Sequence, residues 1–280
     1  MKLLWALVLT AAPVVALAEV EAVLLGEYEW EGDVVGGVSG IEVDEWGRRF
    51  VAVSDRGLIY LGQFFRNEEG VITSMEGGAT ILLDAREEQT PQAEAITTVP
   101  NGLVIGFEGR PPQLWFYSKI DAPPDGLITP PREMNAYPPN QALEALASAP
   151  DGTLYAILEK PNNRGMHPVF RYSNDSWDVA FEIEGQDPFR PTGADIGPDG
   201  KLYVLERSLT ARAFASQVRR FDLETGEGET LLRHRPGTRD NLEGISVWRD
   251  GEGRIHLVLI SDDNLNPIQR TEILDYRLVE

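Results

Sequence analysis

The stretch DNLEGISVW (residues 240–248) places a carboxylate, Glu243, directly before a glycine and an apolar, strand-like run. Similar stretches occur at four earlier places: VSGIEVD at 38–44, AEAITTV at 93–99, LEALASA at 143–149 and GADIGPD at 193–199. Their pairs of a small and an aliphatic residue begin at Gly40, Ala95, Ala145, Ala194 and Gly244, at intervals of 55, 50, 49 and 50 residues. A regular period of about fifty residues is typical of a propeller or a solenoid.

Each unit also contains a glycine-bearing turn followed by a second apolar run. The five turns are DEWGRR, VPNGL, APDGTL, GPDGKL and RDGEGR. Asp-Gly and Asn-Gly are strong signals for a β-hairpin. Helical periodicity is nearly absent, and 27 glycines and 19 prolines punctuate short strands. Four strands in about fifty residues, repeated, predict an all-β fold, a β-propeller with five four-stranded blades.

The two ends of the sequence predict how the ring closes. The last unit has only three strands after Leu242, and the N-terminal VEAVLLGEYEW precedes the first unit without a blade of its own. We expect this N-terminal strand to supply the missing outer strand, which also protects a sheet edge. A six-bladed ring is the alternative, and a β-sandwich or solenoid gives no reason for the repeated hairpin and acid.

The first 18 residues predict a secretory signal peptide. Lys2 is followed by an apolar stretch and by Ala16-Leu17-Ala18, which matches an A-x-A cleavage site. Residues 19–280 would then form a single propeller domain, and no later stretch is long or apolar enough to span a bilayer. The chain has no cysteine, which excludes thiol nucleophiles and disulfides. We expect a bacterial protein that is periplasmic or secreted.

The charge balance narrows the possible partners. The formal net charge is -20, from 45 acidic and 25 basic residues. Nucleic acids and anionic membranes would be repelled by such a protein. The acids are scattered along the chain, so a disordered acidic tail does not explain them. They either solvate the surface or converge in the fold and bind a divalent cation.

The propeller geometry predicts which acids converge. The innermost strand of each blade lines the central channel, so residues just before it surround one mouth. These residues are Ser39, Glu94, Glu144, Asp195 and Glu243. The second strand returns to the same end and carries Ser54-Asp55-Arg56, Glu108 and Arg110, Glu159-Lys160, Glu206-Arg207 and Ser261-Asp262-Asp263-Asn264.

Crowded carboxylates need protonation, basic partners or a hard cation. Ca²⁺ prefers carboxylate and amide oxygens, and the chain offers these without thiolates. The predicted calcium ligands are Glu94, Glu144, Asp195, Glu243, Asp262, Asp263 and Asn264. In the alternative interpretation, each acid only accepts hydrogen bonds from neighbouring backbone N–H groups.

These stretches together resemble one protein family. SDRG at 54–57, the repeated E-A-I/L, and DNLEGI with SDDN are similar to the phytase-like domain family of bacterial exported proteins, described as esterase-like members of the phytase family. The likeness runs from about Gly36 to Leu278. It implies a β-propeller that hydrolyses phosphoric or other esters, and a small-molecule ester as the partner of a protein that we expect to be a monomer.

The expected chemistry combines a cation with nearby arginines. Asp55, Arg56, Glu206 and Arg207 are the predicted catalytic residues. Calcium would polarise the ester and position water, while Arg56 and Arg207 would bind phosphoryl oxygens. A crowded carboxylate could act as general acid or base. Two alternatives stay open: a calcium-dependent lactonase or arylesterase, and a non-catalytic binding propeller.

The resemblance departs from the better understood propeller phytases, which are six-bladed and have a strongly basic phosphate pocket. Five repeats and few lysines favour a smaller phosphomonoester or diester over a highly phosphorylated inositol.

Overall fold

A computed structural model of the chain describes residues 20–32, 35–83, 92–109, 112–136, 143–210 and 213–279. The predicted signal peptide lies outside the described residues. No helix in the described part of the chain is long and apolar enough to cross a membrane.

The described chain forms five antiparallel sheets of four strands each. The N-terminal strand is β1 (Glu21–Glu29). Blade 1 consists of β2 (Val38–Val43), β3 (Arg49–Ser54), β4 (Leu58–Arg66) and β5 (Ile72–Leu82). Blade 2 consists of β6 (Ala93–Val99), β7 (Gly102–Phe107), β8 (Gln113–Tyr117) and β9 (Gly126–Ile128), followed by a short 3₁₀ helix, Arg132–Ala136.

The remaining strands complete the ring. Blade 3 consists of β10 (Leu143–Ser148), β11 (Leu154–Leu158), β12 (Met166–Ser173) and β13 (Ser176–Glu184). Blade 4 consists of β14 (Arg190–Ile196), β15 (Leu202–Thr210), β16 (Ala213–Phe221) and β17 (Gly228–Arg233). Blade 5 consists of β18 (Asn241–Arg249), β19 (Ile255–Asp262) and β20 (Glu272–Val279), with β1 as its outer strand.

The prediction of a five-bladed propeller closed by the N-terminal strand is confirmed. Strand β1 pairs antiparallel with β20, from Glu21 opposite Val279 to Glu29 opposite Glu272. The first and last parts of the chain thus share one sheet, which holds the ring closed. The six-bladed alternative is wrong, because the segment before β2 is a single strand of blade 5.

Five apolar clusters hold the blades together, and each lies between two neighbouring blades. One cluster, for example, joins Tyr203 and Val218 of blade 4 to Leu257 and Leu274 of blade 5. Four others occupy the remaining interfaces. Full burial of a large aliphatic side chain contributes about 1.5–3 kcal/mol relative to its exposure. The apolar face of each sheet is therefore stabilised by its neighbour.

The innermost strands approach one another so closely that their repeated small residues are required. A Cβ on Gly193 would lie 2.5 Å from the carbonyl oxygen of Glu243 on the next blade. A Cβ on Gly244 would lie 3.1 Å from the backbone nitrogen of Ile41. The small residue of each repeat is thus explained by close packing around the axis.

Candidate functional site

A β-bulge opens the inner strand of every blade at the same position. Register shifts occur between Val38 and Gly40, Ala93 and Ala95, Leu143 and Ala145, Pro191 and Gly193, and Leu242 and Gly244. A bulge leaves one extra, unpaired residue and redirects its side chain. The five bulged residues are Ser39, Glu94, Glu144, Thr192 and Glu243. This ring forms one end of the channel, which we call the acidic mouth.

Thr192 occupies the bulge of blade 4, where the sequence analysis expected Asp195. Each bulged residue precedes the glycine of the following turn by eight positions, as Thr192 precedes Gly200 and Glu144 precedes Gly152. The position eight residues before the turn glycine, and not the position of the nearest acid, identifies Thr192 as the bulged residue of blade 4. The expected position of Asp195 in the acidic mouth is wrong, because three more residues along β14 carry it to the opposite end of the channel.

A second ring of side chains follows the ends of the second strands. In each blade, the last pair before the bulge joins the inner strand to the second strand, and the residue that follows this pair on the second strand lies at this end. These pairs are Val38–Ser54, Ala93–Phe107, Leu143–Leu158, Pro191–Glu206 and Leu242–Ser261. The residues that follow them are Asp55, Glu108, Glu159, Arg207 and Asp262. Four blades thus supply an acid and blade 4 supplies an arginine. Arg110, which the sequence analysis placed here, lies outside the described residues.

Glu206 does not reach the acidic mouth. Successive side chains of a strand point to opposite faces, so Glu206 and Arg207 diverge. The Glu206 side chain is fully buried between strands, where Arg219 binds both carboxylate oxygens at 2.6 and 2.7 Å and Gln217 donates a third hydrogen bond at 2.6 Å. The placement of Glu206 in the site is therefore wrong, and its geometry is that of a buried structural ion pair.

The carboxyls of Glu94 and Glu144 accept no hydrogen bond from the described residues, and the pKa values of both are raised strongly. Burial, followed by the negative charges of Glu159 and Glu243, raises the pKa of Glu144 to about 8. Burial and the charge of Glu144 raise the pKa of Glu94 well above its ordinary value, with Glu108 contributing further. At neutral pH the Glu144 carboxyl therefore holds a proton that an isolated carboxyl would have lost.

Glu243 is the acid of the ring with a basic partner. Arg207 Nη1 donates a hydrogen bond to Glu243 Oε1 at 2.8 Å and another to the Asn241 side chain. Asn241 Nδ2 also donates to Glu243 Oε1, at 2.7 Å. Burial still raises the pKa of Glu243, although Arg207 and Asn241 oppose this effect. Arg207 lies over the ring of Phe214, 5.8 Å from its centroid, which orients the guanidinium.

Gly36 and Gly37 form a turn at the edge of this site. Both glycines have positive φ, and a Cβ on Gly37 would collide with the Asp55 carboxylate. The amide of Gly37 donates to Asp263 Oδ1 at 3.1 Å, and Ser54 Oγ donates to the carbonyl of Gly36 at 3.0 Å. The two glycines therefore bring Asp55 and Asp263 close together. Burial raises the pKa of Asp55, and the charge of Asp263 adds to this effect.

The loop that follows β19 completes the mouth. Burial and the charge of Glu243 raise the pKa of Asp262 to about 7, although its Oδ1 accepts a bond from the Asn264 amide at 2.8 Å. Asp263 Oδ1 accepts the Leu265 amide at 2.9 Å. Asn264 and Leu265 both have left-handed backbone conformations, with φ of 49° and 52°. These hydrogen bonds offset the cost of that conformation and fix the two carboxylates.

Basic side chains also surround the mouth. Burial raises the pKa values of Asp55 and Glu159, and nearby cations oppose this effect: Arg56 at Asp55, and Arg207, Arg190 and Lys160 at Glu159. The sequence analysis missed Arg190, which lies opposite Arg207 at the start of β14. The site thus combines many acids with four cations, an arrangement that can bind a metal ion and an anion together.

The donor chemistry of the mouth fits calcium, since every candidate ligand is an oxygen and the carboxylates repel one another. Within the described residues, however, no three carboxylates or imidazoles are grouped closely enough to form a ready-made metal site.

The fold and this mouth define the class of protein: a five-bladed propeller with a strongly acidic, arginine-containing channel mouth. The family model for phytase-like proteins, described as "Esterase-like activity of phytase", matches residues 33–265. The chain therefore belongs to this phytase-like family, which confirms the resemblance found in the sequence.

The WD40 β-propeller domain of Doa1 is similar over 93% of this chain and 97% of its own length, with 12% sequence identity and a TM-score of 0.47. This likeness carries no functional conclusion. No curated protein matches the chain.

Proposed function

We propose that this phytase-like propeller hydrolyses phosphate or related esters of small molecules at the acidic mouth. The observation that carries the proposal is the meeting of perturbed carboxyls with Arg207 at one end of the channel. Burial and the charges of nearby carboxylates raise the pKa values of Glu144 and Glu94. Arg207 projects from blade 4, which contributes no acid to either ring.

The protein's own residues supply binding and proton transfer. Arg207 uses only Nη1 in its hydrogen bonds within the described chain, so Nε and Nη2 are available for two phosphoryl oxygens. Arg56 is exposed beside Asp55 and provides a second cation. Glu144, protonated at neutral pH, would donate its proton to the leaving oxygen, and Asp55 would accept a proton from the attacking water.

Calcium is part of this proposal. Glu94 and Glu243 from the bulges, with Asp262 at the end of β19 and Asp263 and Asn264 from the loop after it, would hold it, while Glu144 would stay outside the ligand set and keep its proton. When bound, calcium would supply Lewis-acid polarisation of the ester. It would also remove the repulsion that raises the pKa values of these carboxyls, so calcium binding and proton release would be linked.

The decisive experiment compares p-nitrophenyl phosphate, bis-p-nitrophenyl phosphate and p-nitrophenyl acetate, with calcium or with a chelator. We expect a phosphate substrate to be hydrolysed faster than the acetate. Arg207→Lys should lower kcat/KM for that substrate at least tenfold, because a lysine cannot bind two oxygens in one plane. Glu69→Gln, in an exposed turn between β4 and β5, is the matched control and should keep full activity.

Calcium binding can be measured independently of turnover by titration calorimetry. Glu243→Gln should weaken it at least tenfold, and Glu69→Gln should not change it. Acetate as the preferred substrate would favour a lactonase or arylesterase. Calcium binding with no turnover of any ester would favour a binding propeller. Turnover that is unchanged in Arg207→Lys would refute the proposed role of that residue.

A further inference from the structure

The opposite end of the channel holds a second pair of buried acids. Five residues occupy the position three beyond each bulge, and they are Glu42, Thr97, Ala147, Asp195 and Ser246. They lie where the inner strands end, at what we call the second mouth. Glu42 and Asp195 are 7% exposed each. They come from blades 1 and 4, with blade 5 and its Ser246 between them.

The two mouths are separate compartments. The space between them along the axis is a cavity of only about 10 Å³, lined in part by Ile41, Ile96, Leu146 and Ile245. That volume barely holds one water molecule. A ligand at the second mouth would therefore bind separately from the acidic mouth and independently of the function proposed for it.

The second-mouth acids are more than structural hydrogen-bond acceptors. Asp195 Oδ2 accepts the amide of Val247 on the next blade at 2.6 Å. Ser246 Oγ accepts a hydrogen bond from the amide of Val43 in the same way, at 2.9 Å. A neutral hydroxyl can therefore accept the hydrogen bond from the next blade as well as a carboxylate can. Burying a carboxylate costs far more free energy than burying a hydroxyl. The presence of acids at two of the five positions therefore requires another reason.

One carboxyl oxygen of Glu42, Oε1, is buried and has no hydrogen-bond partner among the described residues. Hydrogen bonds from Thr98 and Thr97 to the carboxyl lower its pKa. Burial and then the charge of Asp195 raise the pKa of Glu42 well above its ordinary value. Arg249 in the surrounding wall is exposed and forms no ion pair with either acid in the described structure.

Both acids line a cavity of about 590 Å³ that opens to solvent. Its walls are largely apolar, and three prolines from equivalent turns form much of them: Pro100, Pro150 and Pro198. A few polar groups at the base of an apolar pocket of this volume are typical of a small-molecule site. The apolar walls suit an organic body, and the two carboxyls at the base suit a single positive charge.

We propose that the second mouth binds a small organic ammonium ion, with the ammonium group between Glu42 and Asp195 and the apolar body against the proline-lined wall. An ammonium group donates three hydrogen bonds, so it can contact the carboxyls of both Glu42 and Asp195, which line the base of the cavity. A metal ion is less suited to this cavity, because two carboxyls in a largely apolar wall leave most of its coordination sites unfilled.

The test is an NMR titration of the native protein with benzylamine, monitored at the amides of Val43 and Val247. We expect saturable shifts at these amides, and at least tenfold weaker binding of benzyl alcohol, which has the same shape without the charge. Glu42→Gln should weaken benzylamine binding at least tenfold. Glu45→Gln removes an exposed acid from the rim of the same cavity and should change binding less than twofold.

Three results would overturn the proposal: equal binding of benzyl alcohol, shifts confined to the Gly37 amide at the acidic mouth, or equal loss of binding in both variants. Shifts of Val43 and Val247 at lower concentrations of calcium chloride than of benzylamine would identify a metal site instead. The comparison of amine and alcohol uses the unmodified protein, so it decides the question even if Glu42→Gln does not fold.

Discussion

Replacing Glu144 by glutamine is expected to stabilise the protein at alkaline pH and to leave its stability unchanged at acidic pH. Burial and neighbouring acids raise the pKa of Glu144 from 4.5 to about 8. Below pH 4.5 the carboxyl is neutral in both the folded and the unfolded chain. Between these values only the folded chain keeps the proton, so the free energy of unfolding falls as the pH rises, and the loss is complete above pH 8.

The size of the effect follows from the same pKa. Each pH unit of difference corresponds to about 1.4 kcal/mol, which gives an upper limit of about 5 kcal/mol above pH 8. Glu94 and Glu243 share the titration, and water at the open mouth screens the charges. We therefore expect Glu144→Gln to raise the free energy of unfolding by about 2–3 kcal/mol at pH 9.

Guanidinium denaturation at pH 4 and pH 9, with a chelator present, measures this difference. Glu69→Gln, which removes an exposed acid, should behave like the unmodified protein at both values. The Glu144 carboxyl accepts no hydrogen bond from the described residues, so the substitution by glutamine removes none. A variant that is less stable at pH 9, or one that changes equally at the two pH values, would refute the electrostatic interpretation of the acidic mouth.

Two further substitutions test the packing. Arg219→Met should destabilise the protein by about 3–5 kcal/mol in chemical denaturation, because it leaves the buried Glu206 carboxylate without its charged partner; a loss below about 1 kcal/mol would contradict this. Gly193→Ala should cost about 1–3 kcal/mol by the same measurement, because its Cβ would press on the Glu243 carbonyl of the next blade. Gly251→Ala, in an open turn with nothing within 4 Å, is its control and should change stability by less than about 0.5 kcal/mol.

Most residues of the acidic mouth are predictable from the sequence, whereas the positions of Asp195 and Glu206 are not, for different physical reasons. Asp195 is the acid nearest to a small residue in its repeat, but the bulge position is set by its distance from the turn glycine, which selects Thr192. Glu206 is adjacent to Arg207 in sequence, but strand alternation directs neighbouring side chains to opposite faces. In both cases the chemistry of the residue was given more weight than its place in the strand.

The five blades, the closing N-terminal strand and most of the acids at the channel end can be predicted from the amino-acid sequence alone. These follow from local order, since hairpin turns, strand period and the spacing of the repeat are all properties of neighbouring residues. The folded ring is needed to show that Glu94, Glu144 and Glu243 lie on bulges, that Glu206 is paired with Arg219, and that Glu42 and Asp195 line one cavity at the second mouth. Those relations join residues from different strands or blades, and their energies depend on burial, which appears only when the ring is complete.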